Sequence, residues 1–573
     1  MVNVKNLFGM AVMATALVAC SSNDDLASNG HEGNQTGEAY ASFKINLPTT
    51  SGTRAAGDPQ GTPDFEHGTA AEYEVKNGTI LIFDATTEKF VTSADLGTMN
   101  PWTDVKKDGV TTSAIATVKL ENVTVGGNYK ALVLLNNNSK ATPKVTLPTT
   151  ADTYTSWSKD ASKVDAEKYV STDGFFMANA PRYIDATSEP TTLVKVNNIC
   201  ASREEAQAKA ATTVYVERGL AKVTMQNYKT GGYEIAAGTT YAGDKVVITD
   251  WKLDVTNKST FPVHQTDGLK KAWDQIWGEG RFFDNTSSSF KRVYWGEDPN
   301  YSDLDLQDLT ACKNAFNMIK NSEVKGETGT DHPQYCLENT FDLANMKQGQ
   351  TTRVVFKAVY TPKALVGKTG DDLTFFKIGN NTAIWTKANL EKQIKTVALT
   401  AMGITSEAEQ AYYGVKLDAT ENNISGVAGQ HLIKAENITY TGDAADNKVS
   451  EPVVNTINEK LGLTAAVGIS TYLHGEAYYI ARIKHFNELT PWNPGEAYWN
   501  PGEAYDSKNK KYLGRYGVLR NNWYDLSVNS ISGLGYPEVP EVKPTVPDDE
   551  NDQYINVEVK ILDWAMRKQV IDL

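Results

Sequence analysis

Cysteine is scarce in this chain of 573 residues: there are four, Cys20, Cys200, Cys312 and Cys336, and no two stand in a Cys-x-x-Cys spacing. They signal neither a disulfide framework nor a zinc site. Cys312 and Cys336 could pair in an oxidising compartment, with simple buried thiols as the alternative. Histidine is equally thin. His31, His67, His264, His332, His431, His474 and His485 form no HExxH or other ligand spacing, and there is no GxSxG elbow and no phosphate-binding P-loop. The acidic run SDLDLQD places Asp303, Asp305 and Asp308 close together but lacks the glycine and terminal glutamate of a calcium-binding EF-hand, which leaves a solvated turn. Carboxylate pairs for glycoside hydrolysis meet only in three dimensions and carry no sequence signature. The chain therefore reads as a non-enzyme without cofactor or metal. Positive charge is short as well: a formal net charge of -14 argues against nucleic acid and against lying on an anionic membrane surface.

Long apolar runs are also missing, apart from Leu7 to Ala19, which is too short for a stable bilayer span. Lys5 precedes that run, and Leu17, Val18 and Ala19 lead into Cys20, the arrangement of a bacterial lipoprotein signal cleaved before an acylated cysteine. The first 19 residues are thus an export signal, and lipid on Cys20, palmitate included, holds the precursor at the outer membrane. The polar stretch SSNDDLASNGHEGNQTGE after it is a tether, and its SSNDD resembles the acidic surface-export signals of Bacteroidales lipoproteins.

Period-two alternation is abundant. TILIFDA (79 to 85), YKALVLLNN (129 to 137), TTVYVERGLAKVTMQ (212 to 226), DKVVITDWKLDVTN (244 to 257) and TTRVVFKAVYTPKA (351 to 364) read as strands separated by Gly, Asn, Asp and Thr turns. Helical stripes are brief: Leu269, Trp273 and Ile276 in LKKAWDQIW, and Leu390, Ile394 and Val397 in KANLEKQIKTVAL, each expected to pack on a sandwich. The fold class is all-β, mainly antiparallel, with a few short helices. The length calls for two tandem β-sandwich domains, over residues 55–230 and 231–536.

Two C-terminal features stand apart. The heptad WNPGEAY occurs at 492 to 498 and again at 499 to 505, each copy suited to a type II turn that displays Trp492, Tyr498, Trp499 and Tyr505. These aromatics could pack on the adjacent sheet or stack on a sugar or a protein. Residues 537–573 then join a spacer bearing Pro537, Pro540, Pro544 and Pro547 to a strand in which Ile555, Val557, Val559 and Ile561 alternate with polar residues, before the phase shifts at Leu562, Trp564 and Met566. Such a strand could fold back on its own domain, yet the spacer is longer than a hairpin needs and can reach another subunit.

LGRYGVLRNNWYDLSVNSISGLGYPEVP (513 to 540) resembles the C-terminal signature of the Bacteroidales major fimbrial subunits, the fimbrillins of type V pili, with the short-fimbria shaft subunit nearest. VYVERGLAKV (214 to 223), ITDWKLDVTN (248 to 257), FKAVYTPKA (356 to 364) and the ending VEVKILDWAMRKQVIDL resemble family blocks in the same order, so the resemblance spans most of the chain. It implies transthyretin-like sandwiches, export as a lipoprotein, and cleavage by an arginine-specific protease after an arginine in an early loop. Arg54 fits that role: it is the first arginine of the chain, the next is Arg182, and it lies in a Gly/Ala/Thr loop, so the mature chain would begin at Ala55. Cleavage would release the lipidated propeptide, residues 20–54, with the alternating strand of Phe43, Ile45 and Leu47, and open an apolar groove. The terminal strand of a neighbour, through Ile555, Val557, Val559, Ile561 and Trp564, would fill it by strand addition. The implied partners are copies of the chain itself in a head-to-tail filament, together with accessory anchor and tip subunits; the implied role is adhesion and biofilm formation at the cell surface. The competing readings are a monomeric glycan-binding surface lipoprotein that keeps its first strand, and an anchor or accessory pilus subunit.

Overall fold

A computed structural model describes residues 38–47, 69–97, 113–137, 143–163, 166–171, 174–183, 190–267, 291–293, 295–302, 308–379, 381–417, 430–485, 516–548 and 555–562. The alternating segments form strands. Ala39–Asn46 (β1), Gly78–Asp84 (β2), Phe90–Asp95 (β3), Ser113–Leu120 (β4), Tyr129–Leu135 (β5), Met177–Asn179 (β6) and Thr212–Arg218 (β7) make one sheet in the order β3-β2-β5-β6-β7-β1-β4, with the short strand Val194–Lys195 beside β5. All neighbours on that path are antiparallel except β1 and β7, which are parallel. One core joins Phe43 and Ile45 of β1 to Leu81 and Phe83 of β2, Leu132 and Leu134 of β5, and Val214 and Val216 of β7. Two short helices flank it, Ala70–Tyr73 (α1) and Arg203–Ala208 (α2).

The chain passes to a second core at Gly219. A Cβ there would stand 2.9 Å from the Phe176 ring and 3.0 Å from that of Tyr169, so only glycine permits the approach. Leu220–Met225 (β8), Lys245–Asp254 (β9), Gly329–Leu337 (β10), Arg353–Thr361 (β11), Glu476–Arg482 (β12), Trp523–Ile531 (β13) and Ile555–Leu562 (β14) build two four-stranded sheets: β10-β8-β13-β14, and β9-β11-β12 with Tyr233–Glu234 on the outer side of β9. Their facing side chains, among them Val223, Tyr524 and Leu526 from one sheet and Trp251, Phe356 and Tyr479 from the other, interdigitate as a sandwich core. A register shift between Ile248 and Asp250 lets β9 bury Val246 and Ile248 on one phase and Trp251 and Leu253 on the other.

The helix expected over KANLEKQIKTVAL is Lys387–Ala401 (α3), capped by the Thr386 hydroxyl, with Leu390 and Ile394 buried and Val397 half-buried. It adds something the strand pattern does not announce. With Glu451–Lys460 (α4) and the strands Phe375–Ile378 and Ile469–Tyr472 it closes a third core around Phe376, Ile394, Ile457 and Ile469. The LKKAWDQIW stripe lies outside the described residues. Cys200, Cys312 and Cys336 are buried thiols, and burial pushes the Cys336 thiol up to about 12.

Candidate functional site: the seats of the first and last strands

β1 is an interior strand. Along its whole length it pairs antiparallel with β4, from Ala39 opposite Leu120 to Asn46 opposite Ser113, and from Phe43 to Asn46 it also pairs parallel with β7. Tyr40 and Cys200 exchange both backbone hydrogen bonds, at 2.9 and 2.8 Å. The inward phase, Ala39, Ala41, Phe43 and Ile45, is fully buried, and Leu47 is nearly so. Each large apolar side chain contributes roughly 1.5–3 kcal/mol of transfer free energy there. Removing β1 would strip backbone partners from β4 and β7 together and uncover the core, at about 1–3 kcal/mol for each buried group left unsatisfied.

On the outward phase Tyr40 and Ser42 face α2 and Lys44 is exposed. The Ser42 hydroxyl donates to the Ala206 carbonyl at 2.8 Å, and the Arg203 guanidinium lies 6.0 Å from the centre of the Tyr40 ring. Beside them opens a cavity of about 370 Å³ bordered by Ser42, Ile115, Thr117, Arg203, Gln207 and Lys209.

β14 sits differently. Among the described residues it is the outermost strand of its sheet, paired antiparallel with β13 alone, and its register sets Val557, Val559 and Ile561 opposite Val528, Leu526 and Tyr524. The proline-bearing segment before it is not a straight spacer: it bends after Tyr536, closes a turn in which the Val546 N–H donates to the Lys543 carbonyl at 3.2 Å, and is fastened to the second domain. Tyr536 and Tyr478 exchange backbone hydrogen bonds of 2.7 Å, and Arg353, whose Nε donates to Asp254 at 2.8 Å, also donates to the Pro540 carbonyl at 2.6 Å. Val542 packs on Val255 and Phe316. The buried Asp548 accepts from the Thr351 hydroxyl at 3.1 Å. Residues 549–554, between this docked segment and β14, lie outside the described residues.

The sequence blocks that carry the family resemblance meet one another at the passage between the two domains, which the strand pattern alone does not disclose. β8 of VYVERGLAKV runs parallel to β13 of RNNWYDL, Lys222 opposite Trp523. The Arg218 backbone N–H donates to the Asn521 side chain at 3.1 Å, and the Asn521 N–H donates to the Leu220 carbonyl at 2.7 Å. Asn521 adopts φ 60, a left-handed conformation that asparagine tolerates. Arg520 is buried with its Nε 3.0 Å from Glu338. The signal available in sequence was an arginine and two asparagines inside an apolar block, where burial requires partners.

Cys20, Arg54, Ala55, Trp564 and both WNPGEAY copies lie outside the described residues, as do Asp303 and Asp305. Asp308 caps the helix Leu309–Ala315 by accepting from the Thr310 N–H at 2.7 Å. Among the described residues no group of His, Cys, Asp and Glu is arranged to hold a metal ion, and no helix is long and apolar enough to cross a membrane.

Residues 497–570 match the family model of the major fimbrial subunit protein type IV, fimbrillin, C-terminal. No curated protein sequence matches the chain. Among solved structures, one assigned to cell adhesion from Parabacteroides distasonis aligns with 92% of this chain and 99% of its own at 11% identity and a TM-score of 0.37. A fimbrial assembly protein of the same organism aligns with 56% of this chain and 81% of its own at 12% identity and a TM-score of 0.28. Likeness at these scores assigns no function.

Proposed function

From a C-terminal region that belongs to the fimbrillin family, we propose that this chain is the structural shaft subunit of a surface fimbria, exported as a lipoprotein through Cys20, cut after Arg54, and polymerised by exchange of its terminal strand. The observation that carries this reading is the contrast between the two seats. β1 occupies an interior position with hydrogen-bonding neighbours on both sides, whereas β14, among the described residues, rests on an edge with one neighbour. A terminal strand that leaves its own edge for a neighbour's vacated interior position gives up one ladder and gains two. The vacated position cannot stay empty, because an open apolar groove between two unpaired strands invites whatever strand can fill it.

The docked segment 536–548 supports the same reading, since it gives the departing strand a fixed point on its parent domain. Contact between the front of one copy and the tail of the next is heterologous and propagates as an open filament. The partners are then copies of the same chain, an arginine-specific protease, the outer membrane through the precursor's lipid, and accessory anchor and tip subunits, with adhesion and biofilm formation as the cellular outcome.

The test is the N-terminal residue of surface material, read by mass spectrometry, together with its behaviour on a detergent gel. A chain beginning at Ala55 and running as a ladder is the expected result. A monomer that keeps acylated Cys20 and its first strand would overturn the proposal in favour of a binding lipoprotein.

A further inference from the structure

Resting on that strand-exchange reading, we propose that the terminal strand of a second copy of this chain enters the position of β1 in the same direction as β1 and in one register, with Ile555 replacing Ala39 and so on to Leu562 replacing Asn46. β1 and β14 have equal length, AYASFKIN against INVEVKIL. In this register the apolar phase Ile555, Val557, Val559 and Ile561 takes the fully buried positions of Ala39, Ala41, Phe43 and Ile45. Carbon gained at Ala39 and Ala41 slightly exceeds the carbon lost where Val559 replaces Phe43. Lys560 and Ile561 fall on Lys44 and Ile45, so the strand keeps the Lys-Ile pair with its lysine at an exposed place.

Charge selects this register over its neighbours. Glu558 replaces Ser42, at the mouth of the cavity of about 370 Å³ that Arg203 and Lys209 border; Glu205 already pairs with Lys209 at 2.6 Å, so Arg203 is the base that offers a carboxylate there a charge-assisted partner. Asn556 replaces Tyr40, whose ring now lies under Arg203. Slide the strand so that Val557 meets Ala39, and Lys560 faces Arg203. Slide it the other way, and Glu558 leaves that base for the place of Lys44. In the reversed direction with the apolar phase kept inward, Glu558 still meets Ser42, but Lys560 then stands at Tyr40, between Arg203 and Lys119. Glu38, which pairs with Lys119 beside that ring in the uncut chain, leaves with the propeptide, so Lys119 offers Lys560 only like charge. Like charges at that spot oppose the reversed direction.

The experiment uses cysteine pairs in the full chain during fibre assembly. Lys44 is paired with Ile115, which is 67% exposed, so Lys560→Cys with Ile115→Cys places both thiols on the solvent face without touching the core. In the unassembled chain Lys560 stands opposite Asp525, in a different sheet from Ile115, and Cys200, Cys312 and Cys336 are buried. Oxidised fibres should yield a covalent ladder that reductant collapses. Asn556→Cys with Ile115→Cys, which reports the reversed direction, should yield none. Fibres that cross-link through position 556 and not 560 overturn the register while leaving strand exchange standing. Fibres that cross-link from no position of the terminal strand overturn strand exchange itself. Should a cysteine variant fail to assemble, charge reversal decides. Glu558→Lys should slow assembly several-fold at low salt, and Arg203→Glu in the same chain should recover most of it; equal rates for all three chains would refute the register.

Discussion

The ammonium of Lys222 meets the carboxylate of Glu72 at 2.7 Å with both side chains 1% exposed. The pair ties α1 of the first domain to β8 of the second, and Lys222 also stands 3.7 Å from the centre of the Trp523 ring on β13. The Tyr335 hydroxyl donates to the same carboxylate at 2.6 Å, and the Thr69 N–H does so at 2.8 Å. Glu72→Gln keeps the shape and removes the charge, leaving a buried ammonium without its counterion. Its expected cost is about 3–5 kcal/mol, read from denaturant unfolding, whereas pairing Glu72→Leu with Lys222→Met should restore much of the loss. A double variant no better than the single one would show that the pair is not an isolated unit.

The same carboxylate sets an acid limit. Burial pushes it upward, but Lys222, by its charge and its hydrogen bond, together with the Tyr335 hydroxyl, outweighs that and holds it below the ordinary glutamate range. Because the folded value lies below the unfolded one, the stabilisation is complete above about pH 4.3 and declines as pH falls through the folded value. Thermal unfolding followed from neutral to acid pH should show that decline in the native chain and a flatter profile in Glu72→Gln. Parallel profiles would remove Glu72 from the acid response.

Much of this architecture is written as alternation, because a strand with one face in a core repeats at two residues whatever it pairs with. β1 could be read as a strand for that reason, through Phe43, Ile45 and Leu47, whereas TILIFDA and YKALVLLNN are short apolar runs whose two faces are both buried. What alternation cannot say is which strand lies beside which. The block VYVERGLAKV reads as one strand-forming run, yet β7 and β8 belong to different sheets, and the hand-over is fixed by the close approach of Gly219 to Phe176 and Tyr169. The bulge in β9 escapes for a related reason, since Trp251 falls out of phase with Val246 only after Thr249 is skipped in the pairing. The contrast between an interior β1 and an edge β14 is a property of sheet order. No local pattern contains it.

Phe43 offers a test that separates precursor from fibre. Its ring is fully buried in the first core, so Phe43→Ala should destabilise the unprocessed chain by about 3–5 kcal/mol. Fibres assembled from whatever precursor folds should melt as the native ones do, because cleavage has removed the altered residue. An equal loss in both forms would mean that β1 stays in the mature subunit.

Cleavage itself is addressed by Arg54→Ala. With β1 retained in its interior position, the neighbour's strand has nowhere to enter, so export should proceed while unpolymerised precursor accumulates at the surface. Immunoblots of surface fractions and electron microscopy read the two outcomes. Normal fibres built from uncut Arg54→Ala chains would refute processing as the trigger.

The terminal strand can be probed by phase. Deleting residues 554 to 573 should leave a subunit that is processed and can accept a strand but cannot donate one, so it should cap chains of native subunits when the two are mixed. Asp in place of Val557 or Val559 would carry a carboxylate into the apolar groove, where an unpaired charge costs several kcal/mol and the subunit would shift its pKa or fail to dock. Asp in place of Lys560 falls on the opposite phase, at the exposed place of Lys44, and should assemble with at most a modest change in rate. Polymerisation of purified, processed subunits followed by light scattering compares the three substitutions directly. Identical curves would mean that the alternation of Ile555 to Ile561 does not face a groove, and the terminal strand would lose its role as donor.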